Sequence, residues 1–197
     1  EARCVDTVAG KITEVMTERG SIKTEAVVLA GGYWSERFLG NLGVRFPQTG
    51  VVSSVMRTSP IDVGHDITFA GGRFAGRKRL DGGYTIAHNR YAVIDLTPRH
   101  VRYTFDFMKA LILNSHEFKL RIGKRFIEEW QLAKRWKSDE VTPFEQVRIL
   151  DPEPHQFLLD DAEQALKTSY PAFKDMRIEE TWAGMIDATP DAVPVID

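Results

Sequence analysis

The sequence has a single cysteine, Cys4, so no disulfide can form within the chain, which argues against a disulfide-stapled secreted domain. It has no uninterrupted apolar run near the roughly 20 residues that a membrane-spanning helix needs, and no signal-peptide pattern at its start. Lys and Arg (26) nearly balance Asp and Glu (28), which leaves no basic surplus for nucleic acid. We therefore expect a globular protein that binds no nucleic acid and spans no membrane.

Motifs for metal or hydrolytic chemistry are missing as well. The five histidines are scattered without metal-ligand spacing, so we predict no metal site. No serine lies in a Gly-x-Ser-x-Gly elbow, which leaves a serine hydrolase without support. Residues 71–78, GGRFAGRK, have the glycine spacing of a phosphate loop, but Arg77 stands where that loop needs lysine. We interpret this segment as a basic turn.

The start of the chain predicts a hairpin, a buried strand and a short helix. Two β-like runs, residues 11–16 and 22–29, flank a polar turn that contains glycine. Residues 27–30 are apolar at every position, which is typical of a strand covered on both faces. A helix is expected over residues 35–42, with Gly43 at its end.

Short runs of β-forming residues, separated by glycine pairs, then predict a meandering antiparallel sheet. The predicted strands are residues 51–58, 66–70, 77–80, 84–87, 91–95 and, near the other end, 177–185. With the helices described next, the pattern predicts an α+β chain: a curved, mixed and largely antiparallel sheet covered by helices, with a hairpin and strand attached.

The period changes to that of a helix at Thr97, a good N-cap, and Pro98, which fits the first helical position. Two apolar stripes separated by Asn114 and Ser115 predict two amphipathic helices that cover one sheet face. The stripes are Val101, Phe105, Met108 and Ile112, then Phe118, Ile122, Phe126, Trp130 and Ala133. A partner-binding surface is the alternative for this pair. A later helix, with Leu158, Ala162 and Ala165 on one side, should end before Pro171.

Two segments carry a family resemblance. Residues 24–35 read TEAVVLAGGYWS, and residues 182–196 read WAGMIDATPDAVPVI. Both resemble the FAD-dependent amine and amino-acid oxidoreductases of the D-amino-acid oxidase/dehydrogenase type, which include glycine and sarcosine oxidases. Glycines let another molecule lie against the main chain, and a helix N-terminus suits a phosphate-bearing partner. The residues that the resemblance assigns to FAD are Ala30, Gly31, Gly32, Trp34 and Ser35.

The resemblance also implies a substrate-binding domain with a small-molecule amine or amino-acid substrate. Its candidate substrate-binding residues are Arg79, Tyr84 and His88, and no catalytic residue is assigned. Many oxidases of this type carry Ala-Gly-Leu-Arg-Pro, whose arginine binds the substrate carboxylate, but this chain has Ile186 at that position. Because isoleucine cannot form a bidentate pair, another cation is needed, such as Arg79, Arg57 or Arg77.

The implied division is residues 1–43 as part of an FAD-binding domain, 44–181 as the substrate-binding domain and 182–197 as a return segment. No Gly-x-Gly-x-x-Gly occurs, so we expect a fragment that binds FAD poorly and is inactive alone. Its parent is expected to oxidise a C–N bond of an amino acid or secondary amine by hydride transfer to flavin. The location is expected to be cytoplasmic, or peripheral to the inner membrane for a dehydrogenase.

Two further expectations concern surfaces. Apolar residues around 27–30 and 193–196 predict self-association if truncation exposes them. The alternative from another class is a non-enzymatic α+β interaction module that uses residues 97–136 as its contact surface. The turn at Gly31 and Gly32 separates the two hypotheses: an oxidoreductase fragment predicts a parallel-type buried strand that ends at an open, cofactor-shaped groove, and a module predicts a turn closed by the chain's own side chains.

Overall fold

The computed structural model describes residues 1–113 and 115–196 and confirms the α+β class. A three-stranded sheet contains β1 (Ala2–Val8), β2 (Lys11–Thr17) and β3 (Gly20–Lys23). A seven-stranded sheet contains β4 (Thr49–Thr58), β5 (Phe69–Ala70), β6 (Ala75–Lys78), β7 (Tyr84–Ala87), β8 (Ala92–Asp95), β9 (Phe118–Arg121) and β10 (Ile178–Ala188). The helices are α1 (Ser35–Asn41), α2 (Pro98–Arg102), α3 (Thr104–Leu113), α4 (Lys124–Gln131), α5 (Pro143–Gln146) and α6 (Gln156–Ser169). Within the described ranges, none of the helices is long and apolar enough to cross a membrane.

The small sheet confirms the predicted hairpin and corrects the strand after it. β2 and β3 pair antiparallel, but β3 ends at Lys23, and residues 24–31 have no regular secondary structure. The buried strand expected at residues 27–30 is therefore wrong, and Val28 is 93% exposed. A strand that is apolar on both faces forms within a sheet that is packed on both faces. None of the described strands pairs with residues 27–30, so this segment does not belong to a sheet. β1 was not predicted, because apolar and polar residues alternate poorly in its sequence, ARCVDTV. Its pairing with β2 is correspondingly irregular and contains register shifts.

A bidentate ion pair attaches the small sheet to α5. Nε and Nη2 of Arg3, on β1, each lie 2.9 Å from a carboxylate oxygen of Glu145. Glu145 also accepts a hydrogen bond from the backbone N–H of Thr142 at 3.1 Å, within the capping box that begins α5. The Arg3 guanidinium, with a smaller contribution from Thr142, lowers the pKa of Glu145 to about 2.

We expect this pair to make folding stability depend on acid pH. A carboxyl with a lower pKa in the folded state contributes stability that is present above its unfolded value, 4.5, and is lost as the pH falls toward about 2. Urea unfolding of the intact protein at about pH 6 and about pH 3 should therefore show a smaller acid-induced loss of stability in Glu145→Gln than in the wild type. The exposed neighbour variant Asp139→Asn should behave like the wild type. An unchanged pH dependence in Glu145→Gln would contradict the assignment.

β4 is the central strand of the large sheet. β10 pairs along its whole length, from Thr49 opposite Ala188 to Thr58 opposite Ile178. β7 pairs with β4 near Met56, and β8 pairs with it at Val52. Because a strand has two edges and β10 occupies one, β7 and β8 share the other, and the sheet splits between them.

The remaining strand predictions hold with altered bounds and one addition. β7 matches its predicted range, β4, β8 and β10 match theirs closely, and β5 is shorter than the predicted strand at 66–70. β9, which lies where a helix was predicted, pairs parallel with β8 and makes this edge of the sheet mixed. Backbone pairing with β8 outweighs the helical spacing of the apolar residues there.

α6 covers one face of the large sheet, as predicted. Met56 of β4 and Ile86 of β7 are buried against Leu159 and Leu166 of α6. Other members of this core are Phe69, Phe74, Tyr84, Ala162, Ala165, Phe173 and Met176. The helix ends at Ser169, before Pro171, as expected from the proline.

The predicted helical pair is only partly confirmed. Thr97 caps α2 through a capping box with His100, but the stripe that continues into α3 is exposed, with Phe105 at 85%. This stripe therefore does not cover the sheet. The second stripe divides between β9 and α4, and the predicted break at Asn114 lies outside the described residues.

Candidate active site

The second face of the large sheet is open where β4 and β10 run side by side. Residues on β4 alternate, so that Val52 and Ser54 are buried while Val51 and Ser53 are partly exposed. Ile186 of β10 lies directly opposite Val51 and is 55% exposed. Opposite residues of an antiparallel pair share a face, so these partly exposed side chains form one surface.

A cavity of about 280 Å³ lies at the split between β7 and β8. Val51, Ser53 and Ile186 line it from β4 and β10, and Arg90 lines it from the connection between β7 and β8. Its remaining lining residues are Val52, Ser54, His88, Asn89, Tyr91, Ala92, Phe118 and Leu158. The volume is near the lower end of the range for small-molecule sites. None of these lining residues carries a carboxylate, and the adjoining pocket, which Arg90 also lines, has Arg73 and Lys119 beside its one carboxylate, Asp161, so the charge around Arg90 is positive.

His88 fixes the connection that carries Arg90. The ring Nδ1 accepts hydrogen bonds from the backbone N–H groups of Arg90 and Tyr91, both at 3.3 Å. Nε2 lies 3.1 Å from Oδ2 of Asp161 on α6, so we assign the ring proton to Nε2. The imidazole is 1% exposed and stacks on the Tyr91 ring, with 5.5 Å between centroids. His88 therefore lies at the cavity wall, and both of its nitrogens are engaged in holding the turn.

The other predicted substrate-binding residues do not line this cavity. Tyr84 is fully buried in the core, and its hydroxyl donates to the carbonyl of His65 at 2.9 Å. Burial raises the pKa of the Tyr84 phenol. Arg79 donates to Asp81 at 3.0 Å at the turn before β7. The structure thus brings neither residue together with His88.

Arg90 is the cation that sequence reasoning missed. Arg57, a predicted alternative, is engaged by Glu180 at 2.8 Å and Glu179 at 3.6 Å. Arg77 is exposed on β6 and does not line the cavity. The Arg90 guanidinium lies over the Tyr91 ring, 5.1 Å from its centroid, and no carboxylate of the described chain is recorded in an ion pair with it. The available signal was an arginine between two predicted strands, two residues after His88.

The segment predicted to contact FAD is open at its glycines. Ala30, Gly31 and Gly32 are exposed, and Gly32 has φ +51°, in the left-handed region that favours glycine. A Cβ built on Gly32 would meet no atom within 4 Å, so a ligand could approach the backbone there. Trp34 packs edge-on against Phe144, and Ser35 is buried at the start of α1. The backbone of residues 30–32 thus fits the part of a cofactor-binding wall, whereas the other two side chains are used in packing.

The open glycine turn and the cavity lie at the same end of the β4–β10 pair. Gln48 donates from Nε2 to the carbonyl of Gly32 at 3.0 Å and to Asp187 on β10 at 2.9 Å. A Cβ on Gly50 would lie 2.3 Å from the Tyr33 ring, so only glycine allows this close approach. Gly50 directly precedes the cavity residue Val51 along β4, but neighbouring residues of a strand point to opposite faces, so Tyr33 packs at the same end of the pair on the other face of the sheet.

Known proteins resemble this chain over its whole length. A sequence model of the family described as FAD dependent oxidoreductase matches residues 1–197. The L-amino acid deaminase from Proteus vulgaris is 32% identical, with a TM-score of 0.91 over 99% of this chain and 45% of its own. The L-amino acid deaminase from Proteus myxofaciens, solved in complex with anthranilate, is 32% identical, with a TM-score of 0.92 over 99% of this chain and 44% of its own.

A third structure shares the fold less closely. The Proteus vulgaris deaminase with its specific insertion sequence deleted has a TM-score of 0.61 at 24% identity, over 99% of this chain and 36% of its own. No curated protein sequence matches the chain. The chain spans less than half the length of each of these three structures.

Proposed function

Since the chain belongs to the FAD-dependent oxidoreductase family, we propose that it forms the substrate-binding part of an enzyme that oxidises the C–N bond of an amino acid. Residues 44–181 would be the substrate-binding domain, with residues 1–43 and 182–197 contributing to an FAD-binding domain. The observation that carries the proposal is Arg90 in a cavity whose lining has no carboxylate, at the same end of the β4–β10 pair as an open glycine turn.

The likeness to the deaminases supports an amino acid as the substrate. Two L-amino acid deaminases are each 32% identical to this chain, over 99% of its length. The family's C–N oxidation would then act on a free amino acid.

Arg90 would bind the substrate carboxylate. A guanidinium group holds a carboxylate through two parallel hydrogen bonds, which fixes both position and orientation. Val51 and Ile186 would contact the substrate side chain, and Ser53 offers a hydroxyl to the same cavity. A positive site without carboxylates also disfavours an ammonium group, so the substrate amine would bind in its neutral form, with the nitrogen lone pair available to the developing imine.

The backbone of Ala30, Gly31 and Gly32 would form one part of the FAD site, at the end of the sheet where the cavity lies. The bound cofactor would supply a hydride acceptor for the substrate C–H bond, and hydrolysis of the imine product would give a 2-oxo acid and ammonia. The residues of this chain orient the substrate and exclude competing water. We propose that FAD binding depends mainly on sequence beyond these residues, and that the 197-residue chain alone is inactive.

The test uses the longer protein that carries this chain, purified after addition of FAD. We expect flavin absorbance bands at roughly 375 and 450 nm that bleach anaerobically when an L-amino acid is added, with one 2-oxo acid formed per flavin reduced. Oxygen admission would then show whether the enzyme reacts directly with O2. A protein that takes up FAD but is bleached only by D-amino acids or secondary amines would overturn the deaminase assignment. A protein that takes up no FAD would overturn the enzymatic proposal altogether.

A further inference from the structure

The connection between β7 and β8, residues 88–91, carries Arg90 and is tied to two other parts of the fold. Nε2 of His88 lies 3.1 Å from Oδ2 of Asp161 on α6. Nδ2 of Asn89 donates to the carbonyl of Gly71, between β5 and β6, at 2.9 Å. Side chains on both sides of the connection therefore fix the backbone from which the Arg90 side chain extends.

Asp161 engages both of its carboxylate oxygens. Nη1 of Arg73, from the connection between β5 and β6, lies 2.7 Å from Oδ1, which leaves Oδ2 for His88. An ionised carboxylate only accepts hydrogen bonds, so it selects the imidazole tautomer that carries its proton on Nε2. The lone pair of the ring is then on Nδ1, where it faces the backbone of the connection.

The Nδ1 lone pair of His88 organises the turn. It accepts from the backbone N–H groups of Arg90 and Tyr91, both at 3.3 Å, as the side-chain oxygen of an asparagine does in an Asx-turn. With the proton on Nδ1 instead, one donor would face two donors, and both hydrogen bonds would be lost. The imidazole is 1% exposed, so water could not readily replace the lost acceptor.

We propose that Asp161 is a positioning residue for the oxidation. By fixing the tautomer of His88 it places the backbone of Arg90, and through it the guanidinium that binds the substrate carboxylate. This inference rests on the proposed function, since the place of Arg90 matters only if a carboxylate binds there. Asp161 lines the adjoining pocket but not the substrate cavity, so its effect is indirect. Its ion pair with the half-exposed Arg73 would by itself contribute little to stability.

The test begins with Asp161→Asn in the FAD-loaded longer protein. Arg73 would retain the amide oxygen, so the amide N–H would face Nε2 of His88 and move the ring proton to Nδ1. We expect KM for an L-amino acid to rise about tenfold, the loss of one typical hydrogen bond, with kcat within about twofold of the wild type. Asp160→Asn, which removes the same charge from an exposed neighbour on α6, should leave both constants unchanged.

Two further variants show whether Asp161 acts through the turn. His88→Asn supplies an acceptor for the N–H two residues on and has no tautomer to fix, so it should retain a KM near the wild type and make KM insensitive to Asp161→Asn. In Arg90→Gln, adding Asp161→Asn should change KM no further, because two residues that act through one contact are not additive.

The tautomer is measured without turnover, by 15N NMR of the histidine rings in the same longer protein, with the His88 signal assigned by its loss in His88→Asn. We expect the proton on Nε2 in the wild type and on Nδ1 in Asp161→Asn. A raised KM without this change of tautomer would overturn the inference. So would an active enzyme that is impaired by Arg90→Gln but responds alike to Asp161→Asn and Asp160→Asn, and the proposed function would then still stand. A wild type that oxidises no amino acid would overturn both.

Discussion

Arg90→Gln should lower kcat/KM for an L-amino acid by about 100-fold in the FAD-loaded longer protein, because the guanidinium would hold the substrate carboxylate through charge-assisted hydrogen bonds, which contribute about 1.5–3 kcal/mol each. Arg90 is the cavity's arginine, and the described carboxylates form no recorded ion pair with it. Glutamine retains hydrogen-bonding capacity and loses only the charge and the fork. The loss should therefore appear with substrates that carry a carboxylate and be much smaller with the corresponding amines.

Binding of anthranilate provides a readout that is independent of turnover. Its carboxylate would be held by the same arginine, so the dissociation constant measured from the flavin spectrum should rise in Arg90→Gln and rise less in Arg90→Lys. Arg77→Gln is the matched control, since Arg77 is exposed on the same sheet but does not line the cavity. If Arg77→Gln lowered activity as much as Arg90→Gln, carboxylate binding at the cavity would have to be abandoned.

The sequence was sufficient for elements whose signals are local. β7, with strict alternation between two turns, and α6, with its apolar face before Pro171, form as predicted. β9 shows where local signals fail: its apolar spacing is helical, but pairing with β8 satisfies its backbone in the folded chain. A partner strand 26 residues away is invisible to periodicity, as Ala92 opposite Phe118 shows.

The candidate site was predictable only in part for a similar reason. His88 could be singled out from its place after a strand, but its function in holding the turn depends on Asp161 of α6. Arg90 acquires its place from the split between β7 and β8, which is a property of the whole sheet. Composition cannot reveal which arginine is engaged by carboxylates and which is not.

The buried ion network predicts the largest change in stability. Glu129→Ala should lower the free energy of unfolding by about 3–5 kcal/mol, because it leaves buried cations without their counter-charge. Glu129 is 6% exposed and contacts Tyr33, Arg37 and Arg99, which come from α2 and from the segment around the start of α1. Urea unfolding of the intact protein, followed by tryptophan fluorescence, measures the change.

Two comparison variants separate charge from hydrogen bonding and from helix propensity. Tyr33→Phe removes one hydrogen bond to the buried Glu129 carboxylate and leaves the ion pairs, so it should cost about 1.5–3 kcal/mol. Glu128→Ala changes the exposed neighbour on the same helix and should remain within about 0.5 kcal/mol of the wild type. In Glu129→Ala, Arg37 keeps its contact with the carbonyl of Ala133, which supplies no negative charge, whereas Arg99 keeps Glu36, 3.1 Å from its Nε. If Glu129→Ala cost no more than Tyr33→Phe, the negative charge of Glu129 would add nothing to the stability of the fold, and the importance assigned to these ion pairs would be wrong.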